Sequence, residues 1–316
     1  MNSLKIYCQI ILIYACFVLE VSTQNLEKIL NQNKTVANSF HIQPRSDSSR
    51  FGSGVELGDL PHHVLIFTLY NAERDIYRAF CAGSIIGDDK VLTSANCFLT
   101  NRKAHRRDYD KVWVVAGIIQ VSVKRSAGND NIQQWRQIVK IYSQRFYRFP
   151  AYNLGVLIMN LPWIFNNYVN KIPYESEDHD FDGICIATAV KATKSWSINK
   201  YVFVEEVEMI KRRTCEQILQ RSCRLYFCTA CENGFKYAYS FESEGSGLIC
   251  YETGDPNEKD PRRGILVGVT SKVNIGLPNL HMRIGAYSKW VTDLSCKLKY
   301  NKILIFCVVT IGTNIL

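Results

Sequence analysis

The segment from residue 242 to residue 247 concentrates side chains that could do chemistry. Its sequence is Glu-Ser-Glu-Gly-Ser-Gly, so the carboxyl groups of Glu242 and Glu244 lie beside the hydroxyl groups of Ser243 and Ser246. A serine hydroxyl becomes a nucleophile when a neighbouring base accepts its proton, and two carboxyl groups in a cleft can act as general acid and base. Attack by a serine and acid–base catalysis by two carboxyl groups are both ways to hydrolyse a bond. Each of them depends on a partner group that the fold must supply.

Cys228 and Cys231 form a second candidate site, because the Cys-x-x-Cys spacing is half of a common zinc site. The sequence has no second pair with this spacing and no histidine nearby. Zinc binding and disulfide formation are the alternatives for these two residues, and disulfide formation is favoured. We therefore expect no metal.

Short apolar runs bounded by Gly, Pro, Asn and Asp must position these groups. They occupy residues 64–69, 111–119, 155–161, 201–207, 264–270 and 280–284. Several are rich in Val, Ile and Tyr, which is typical of an all-β barrel or sandwich. Residues 286–297, with Trp290, Val291 and Leu294 on one face, are the one stretch with a helical period. His62 and His63 precede the first run, and we expect them to be surface or half-buried residues at the start of a strand.

The chain of 316 residues is 47% hydrophobic, which excludes a disordered polymer. No interior apolar run reaches 18 residues, which excludes a protein that spans the membrane several times. Residues 1–23 resemble a secretory signal peptide, with Lys5 before a mainly apolar segment of 14 residues and small residues after it. A membrane anchor is the alternative, but a span needs about 20 residues. We expect a secreted, extracellular protein with disulfides.

Two polar or atypical segments flank the central part of the chain. Residues 24–50 form a polar leader, and Asn33-Lys34-Thr35 is a candidate glycosylation site at Asn33. Residues 297–316 form a tail that is first basic and then apolar. A GPI signal has a similar apolar end, but a tail that packs on the protein or on a partner is favoured.

Two blocks carry a resemblance to a known family. Residues 81–86 and 91–97 are CAGSII and VLTSANC, which resemble the C-G-G-S-L-I and V-L-T-A-A-H-C patterns of the trypsin/chymotrypsin family. Further similar segments follow in the family's order, at residues 153–158, 165–169, 242–250, 267–271 and 287–291. The resemblance covers residues 51–296. It implies a fold of two six-stranded antiparallel β-barrels, chymotrypsin-like, with a C-terminal helix.

The resemblance also locates the three catalytic positions of the family, and all three are substituted. The histidine base corresponds to Asn96, the aspartate to Leu154 and the serine nucleophile to Glu244. An amide does not accept a proton near pH 7, and leucine cannot orient an imidazole. Using Ser246 instead requires a two-residue deletion before Cys250 and still lacks a base, because none of the 6 histidines falls at the base position.

The supporting positions differ in the same direction. The glycine that contributes to the oxyanion hole corresponds to Glu242, and the acid that pairs with a newly cleaved N-terminus corresponds to Ser243. Cleavage after Arg50 is therefore not expected to switch on catalysis. The base of the specificity pocket corresponds to Ala238, and Val273 and Asn279 stand where the family has glycine, so we expect an obstructed pocket.

The family's disulfides account for six cysteines. Two of the 12 cysteines lie in the signal segment, and a further pair is free to replace a family bridge that is absent. The resemblance implies the pairs Cys81–Cys97, Cys185–Cys250 and Cys215–Cys228, and we expect Cys223–Cys231 as the replacement bridge. Cys296 and Cys307 either pair with each other or, if the tail is removed, leave Cys296 to link another chain.

The net charge of +9 is spread over several clusters, at residues 103–111, 211–213 and 262–263 and among the C-terminal lysines. Nucleic-acid binding would need one basic stripe with interleaved aromatic residues, so we expect no nucleic acid partner. A solvated surface is favoured, and attraction to acidic glycans, membranes or an acidic protein is the alternative.

The resemblance implies a secreted, non-catalytic serine protease homologue that acts by binding extracellular proteins, possible partners being active proteases of the same network. Such homologues are abundant in insects, as cofactors, decoys or regulators in proteolytic cascades or in seminal fluid. The leader lacks the cysteines of a clip domain, which favours a reproductive role. The alternatives are a membrane-tethered adhesion or receptor-type protein and a residual hydrolase that uses Glu242 or Glu244. We expect no cofactor, and membrane contact through the tail is not favoured.

Overall fold

The computed structural model describes residues 55–105, 108–125, 132–181, 185–192, 200–231, 240–261, 263–274 and 276–294. All of them belong to one compact unit, Gln43–Leu316. Several sequence predictions lie outside the described residues: Asn33, Arg50, Ala238, Cys296, Cys307, the signal segment, the leader and the tail. No helix of the described part has the length and apolar character needed to cross a membrane.

Six antiparallel strands of the N-terminal half close into a first barrel. The strands of this half are β1 (His63–Asn71), β2 (Ile76–Gly87), β3 (Lys90–Ser94), β4 (Val112–Ala116), β5 (Ser122–Lys124), β6 (Gln134–Ser143) and β7 (Leu154–Met159). Around the barrel the order is β1-β4-β6-β7-β3-β2, and β2 pairs again with β1 to close it. The short β5 pairs with the first residues of β2.

A second barrel follows in the C-terminal half. Its strands are β8 (Cys185–Ala192), β9 (Lys200–Ile210), β10 (Tyr226–Cys231), β11 (Gly247–Cys250), β12 (Ile265–Lys272) and β13 (Asn279–Arg283). They are joined in the closed order β10-β13-β12-β11-β8-β9. The two six-stranded barrels confirm the all-β, chymotrypsin-like fold that the sequence predicts.

Helices are few in the described residues. The expected C-terminal helix is present at residues 288–294 (α2), after a 3₁₀ turn at Gly285–Tyr287. A second helix, α1 at Arg212–Leu219, was not expected, because its sequence is mostly polar and Cys215 is its one buried residue. Further 3₁₀ turns lie at Ala95–Cys97, Tyr109–Lys111 and Phe241–Ser243.

An apolar cluster joins the two barrels. Leu92 and Val156 from the first barrel belong to the same buried cluster as Ile249, Leu266 and Met282 from the second. Burial of apolar surface contributes about 25 cal/mol per Å², so this shared core stabilises the barrels against each other. It also fixes the loops that meet at the boundary, where the family's catalytic positions lie.

Three disulfides form, and they are the three pairings that the resemblance implies. They join Cys81 to Cys97, Cys185 to Cys250 and Cys215 to Cys228.

The prediction of a Cys223–Cys231 bridge is wrong, because Cys223 carries a free, buried thiol. The chain that returns from α1 to β10 places its Sγ 3.0 Å from Sγ of Cys215. Cys231 ends β10, where its backbone pairs with Val207 of β9.

Candidate functional site at the barrel boundary

Asn96 lies in the 3₁₀ turn Ala95–Cys97, directly after β3. Its backbone N–H donates to Oδ1 of Asn153 at 2.8 Å, and its side-chain Nδ2 donates to Oε2 of Glu244 at 2.9 Å. The residues at the base and nucleophile positions are therefore brought together, as the resemblance implies. Their contact is an amide donating to a carboxylate, which transfers no proton.

Leu154, at the position of the family's aspartate, is fully buried at the start of β7. Its side chain packs within the apolar cluster that joins the barrels and offers no polar group. The neighbouring Asn153 is also fully buried, and its Nδ2 donates to the carbonyl of Ser271 at 3.2 Å and to Oγ of Ser271 at 2.9 Å. An amide network and a leucine thus occupy the place where a carboxylate would orient a histidine.

The backbone of Glu244 is fixed by a tight turn. Its N–H donates to the carbonyl of Phe241 at 3.0 Å, which closes the 3₁₀ turn Phe241–Ser243. Its carbonyl accepts the N–H of Ala82 in β2 at 2.9 Å. In an oxyanion hole, the N–H at the nucleophile position must be free to donate to the reacting oxygen. Here that N–H is already used within the turn.

Gly245 holds this turn against the first barrel. Its φ of +89° suits glycine, and a Cβ at this position would lie 2.1 Å from the carbonyl oxygen of Ala82. The N–H of Gly245 donates to the carbonyl of Thr270 at 2.8 Å. The glycine therefore permits the close approach that brings Glu244 to Asn96.

Two cations surround the carboxylate of Glu242. Nζ of Lys200 lies 2.9 Å from Oε1 and 3.0 Å from Oε2, and a guanidinium nitrogen of Arg78 lies 3.6 Å from Oε1. Oγ of Ser240 contacts both Glu242 and Lys200. The side chain of Glu242 is only 12% exposed, so these partners offset the cost of burying its charge.

Neither nearby serine is placed for nucleophilic attack. Ser243 and Ser246 are both fully buried. Oγ of Ser243 accepts the N–H of Val190 at 2.8 Å, and Oγ of Ser246 donates to the carbonyl of Ser243 at 2.5 Å. Within the described residues, neither hydroxyl is hydrogen-bonded to a histidine.

Three histidines lie in the interior instead. His62 and His63 are 6% and 3% exposed, so the expectation of surface or half-buried residues is wrong, because the start of β1 packs inside the first barrel. Burial lowers the pKa of His62 to about 4 and that of His63 to about 3. Burial also lowers the pKa of His281 to about 3, and its ring nitrogens lie 2.9 Å from Oγ1 of Thr229 and 3.1 Å from Oγ1 of Thr270.

Val273 and Asn279, which the resemblance assigns to the specificity pocket, are buried side chains at positions where the family has glycine. Val273 and Asn279 are 6% and 5% exposed. Oδ1 of Asn279 accepts the N–H of Asn274 at 3.0 Å, and Val273 belongs to an apolar cluster with Phe227 and Val267. Both side chains are thus held within the second barrel.

Three sulfur atoms come within 4.8 Å of one another, those of Cys215, Cys223 and Cys228. Cys215 and Cys228 are joined in a disulfide, so their sulfur atoms are not available as thiolate ligands. This arrangement favours disulfide use of Cys228 over the zinc half-site considered from its spacing with Cys231.

Arg283 in β13 is a buried charge that was not predicted from the sequence. It is 2% exposed; Nε donates to Asp178 at 2.6 Å, Nη1 donates to Asp180 at 2.5 Å, and the guanidinium lies 4.1 Å from the ring centroid of Phe227. The signal available in the sequence is the single arginine of the short run 280–284, together with the dense acidic run at 175–180.

The same acidic run contains a buried carboxyl group, Glu175. Its oxygens accept the N–H groups of His179 and Gly285, both at 3.0 Å. Burial raises the pKa of Glu175 to about 7. This group ties the segment between the barrels to the start of the C-terminal helix.

The comparison with known families agrees with this architecture. A family model described as Trypsin matches residues 58–291, which is more than half of the chain and contains both barrels. The matched range includes the positions of Asn96, Leu154 and Glu244. With the fold and the match in agreement, this chain belongs to the trypsin family.

Proposed function

We propose that this member of the trypsin family is a secreted, non-catalytic protease homologue that acts by binding another protein. The observation that carries the proposal is the hydrogen bond from Nδ2 of Asn96 to Oε2 of Glu244 at 2.9 Å. Hydrolysis by the family's mechanism needs a base and a nucleophile at these two positions. The amide of Asn96 is not a base, and the carboxylate of Glu244 does not replace the serine hydroxyl that this mechanism acylates.

The surroundings of this pair support the same proposal. The N–H of Glu244 donates to Phe241, so the turn offers one oxyanion donor fewer than catalysis needs. The paired carboxylate of Glu242 stands where the family has glycine. A residual hydrolase that uses Glu242 or Glu244 is less well supported, because both carboxyl groups are hydrogen-bonded to partners within the fold.

Two further features support an extracellular role. The apolar segment at residues 6–19 resembles a signal peptide, and the fold contains disulfides, which persist in oxidising compartments. We place the protein in an extracellular proteolytic or reproductive network of the insect type, as a cofactor, decoy or regulator. Active proteases of the same network are the partners that the resemblance favours.

The apolar run at residues 303–316 favours one second candidate, a membrane-tethered adhesion or receptor-type protein. Mass spectrometry of the mature C-terminus separates the two. A lipid-free chain ending at Leu316 removes the GPI version, and a lipid attached near residue 296 supports it.

Peptide hydrolysis by the purified full-length chain tests the main proposal. The chain is incubated with mixed fluorogenic peptides before and after cleavage at Arg50, with trypsin at equal concentration as the positive control. We expect no turnover above buffer in either form. We call the three substituted catalytic positions, Asn96, Leu154 and Glu244, the degenerate centre. Turnover that is lost in the Glu244→Gln variant would show that this centre catalyses hydrolysis and would overturn the proposal.

A further inference from the structure

Two loops of the first barrel are joined into one surface beside the degenerate centre. Nζ of Lys103 donates to the carbonyls of Gln144 and Arg145, at 3.2 and 2.6 Å. Oδ1 of Asn101 accepts the N–H of Phe149 at 2.8 Å. We call the exposed part of this surface the basic platform and define it by Arg102, Lys103, Arg145, Phe146 and Arg148.

The two chain segments that carry the basic platform are rich in basic side chains. Residues 134–153 contain four basic and no acidic side chains, and residues 98–105 add two more basic ones. Among the described residues, no carboxylate pairs with Arg102, Arg145 or Arg148. Exposed cations elsewhere do have such partners, as in Lys111–Asp108 and Lys171–Asp88.

An exposed aromatic ring lies among these cations. Phe146 is 66% exposed, and the guanidinium of Arg145 lies 5.6 Å from its ring centroid. The ring also packs against Tyr152, at 6.0 Å between centroids, which limits its movement. Arginine and aromatic side chains are enriched in protein–protein interfaces and carry much of their binding energy.

The position of the basic platform connects it to the degenerate centre. The first loop begins just after Cys97, and the second ends just before Asn153, whose Oδ1 accepts the N–H of Asn96. The platform therefore lies on the two loops that flank the Asn96–Asn153 contact, on the side of the first barrel. A partner that extends from the Asn96–Glu244 pair along either loop would meet these cations.

We infer that the basic platform docks an acidic segment of the partner protein, with an apolar side chain of that segment on Phe146. This inference rests on the proposed function and names the chemistry of its partner. Carboxylates suit the guanidinium groups of Arg145 and Arg148, because a planar fork can bind both oxygens of one carboxylate. The exposed ring favours a protein segment over a sulfated glycan, which would use the charges and leave Phe146 without a role.

Fluorescence anisotropy with two synthetic peptides tests the inference. One labelled 12-residue peptide carries six glutamates around a central leucine, and the other has glutamine in place of every glutamate. The variants are Arg145→Gln/Arg148→Gln, Phe146→Ser and, as the matched control, Lys211→Gln/Arg213→Gln on the exposed start of α1.

We expect the glutamate peptide to bind the native chain more tightly than the glutamine peptide. The Arg145/Arg148 variant should weaken this binding about fivefold to tenfold, and Phe146→Ser about threefold, with steep weakening by salt. The control should stay within about twofold of the native chain. Equal binding of both peptides, or an equal loss in the control, would overturn the inference. Tight heparin binding that displaces the peptide and ignores Phe146→Ser would also overturn it, in favour of a glycan.

Photo-crosslinking in the native secretion separates this inference from the proposed function. A partner captured by the native chain and by Lys211→Gln/Arg213→Gln, but lost with Arg145→Gln/Arg148→Gln, supports both. A partner captured equally by all three chains overturns the platform and leaves the proposed function standing. Peptide hydrolysis by the native chain overturns the proposed function without reference to the platform.

Discussion

The side chains of Asn96 and Glu244 are joined by a hydrogen bond of 2.9 Å that crosses from the first barrel to the second. In an active member of the family, this boundary holds a base and a nucleophile. Here the same two positions connect the barrels, because an amide donates to a carboxylate that is partly shielded from water. This contact therefore links the two barrels through a hydrogen bond between side chains.

A double-mutant cycle measures this connection. Asn96→Ala and Glu244→Ala should each lower the free energy of unfolding, and the two effects should not add, because either change breaks the same hydrogen bond. We expect a coupling energy of about 1–2 kcal/mol from urea unfolding, as for hydrogen bonds to charged groups. Additive effects within about 0.3 kcal/mol would show that the bond contributes nothing to stability.

Restoring the catalytic residue types should not restore activity. We expect the Asn96→His/Glu244→Ser variant to hydrolyse fluorogenic peptides no faster than the native chain. The N–H at residue 244 would still donate to Phe241, and Val273 and Asn279 would still fill the pocket positions. Adding Leu154→Asp should lower the free energy of unfolding by several kcal/mol, because it places a carboxylate in an apolar cluster.

The assay uses the Asn96→His/Glu244→Ser variant, without Leu154→Asp, and circular dichroism checks that this variant is folded. Measurable kcat/KM in this variant would mean that the turn at 241–244 opens readily. The account of a closed oxyanion site would then be wrong.

The family and the barrels could be predicted from sequence, because the motifs around the cysteines and the apolar runs of the strands are each patterns of neighbouring residues. The role of Leu154 could not. Its identity shows that a carboxylate is missing, but the packing against residues such as Ile249 depends on the second barrel. In the same way, Lys200 pairs with Glu242 from 42 residues away, and spacing gives no sign of that contact.

The cysteines show the same limit on a smaller scale. Three pairings follow from the family's blocks, whereas Cys223 has no counterpart there. The neighbours of Cys223 depend on how the chain returns from α1 to β10, and this path puts the sulfur of Cys223 beside that of Cys215. The prediction of a Cys223–Cys231 bridge was wrong because it was based on how close the two residues are in sequence, which does not determine how close their sulfur atoms are in the fold.

Stability should fall in mild acid because three histidines are buried. The pKa values of His62, His63 and His281 are lowered to about 4, 3 and 3, from an ordinary value of 6.5. Below pH 6.5 the unfolded chain therefore binds more protons than the folded one, and the free energy of unfolding decreases down to about pH 4. Each histidine contributes up to about 1.4 kcal/mol per pH unit.

Glu175 acts in the opposite direction, because its raised pKa of about 7 makes its contribution fall as the pH rises from 4.5 to 7. The variant His281→Gln separates the terms. Its urea-unfolding free energy should depend on pH less steeply than that of the native chain, by about 1.4 kcal/mol per pH unit between pH 4 and 6. Identical slopes would contradict a neutral, buried His281.

Cys223 should behave as a protected thiol in the native state. It is fully buried, and burial raises its pKa, so alkylation by iodoacetamide at pH 8 should be slow until the protein unfolds. In denaturant at pH 8.5, its thiolate should attack Cys215, forming a Cys215–Cys223 bond and releasing Cys228. Peptide mapping should find this isomer in the native sequence and not in Cys223→Ala. Rapid alkylation of the folded chain would contradict the buried position.

Fluorophosphonate labelling tests the central claim most directly, because the reagent forms a covalent adduct with an activated serine and needs no knowledge of the substrate. The purified full-length chain is treated before and after cleavage at Arg50, next to trypsin, and its intact mass is measured. The account predicts an unchanged mass in both forms. A stoichiometric adduct on any serine, Ser243 and Ser246 included, would contradict it.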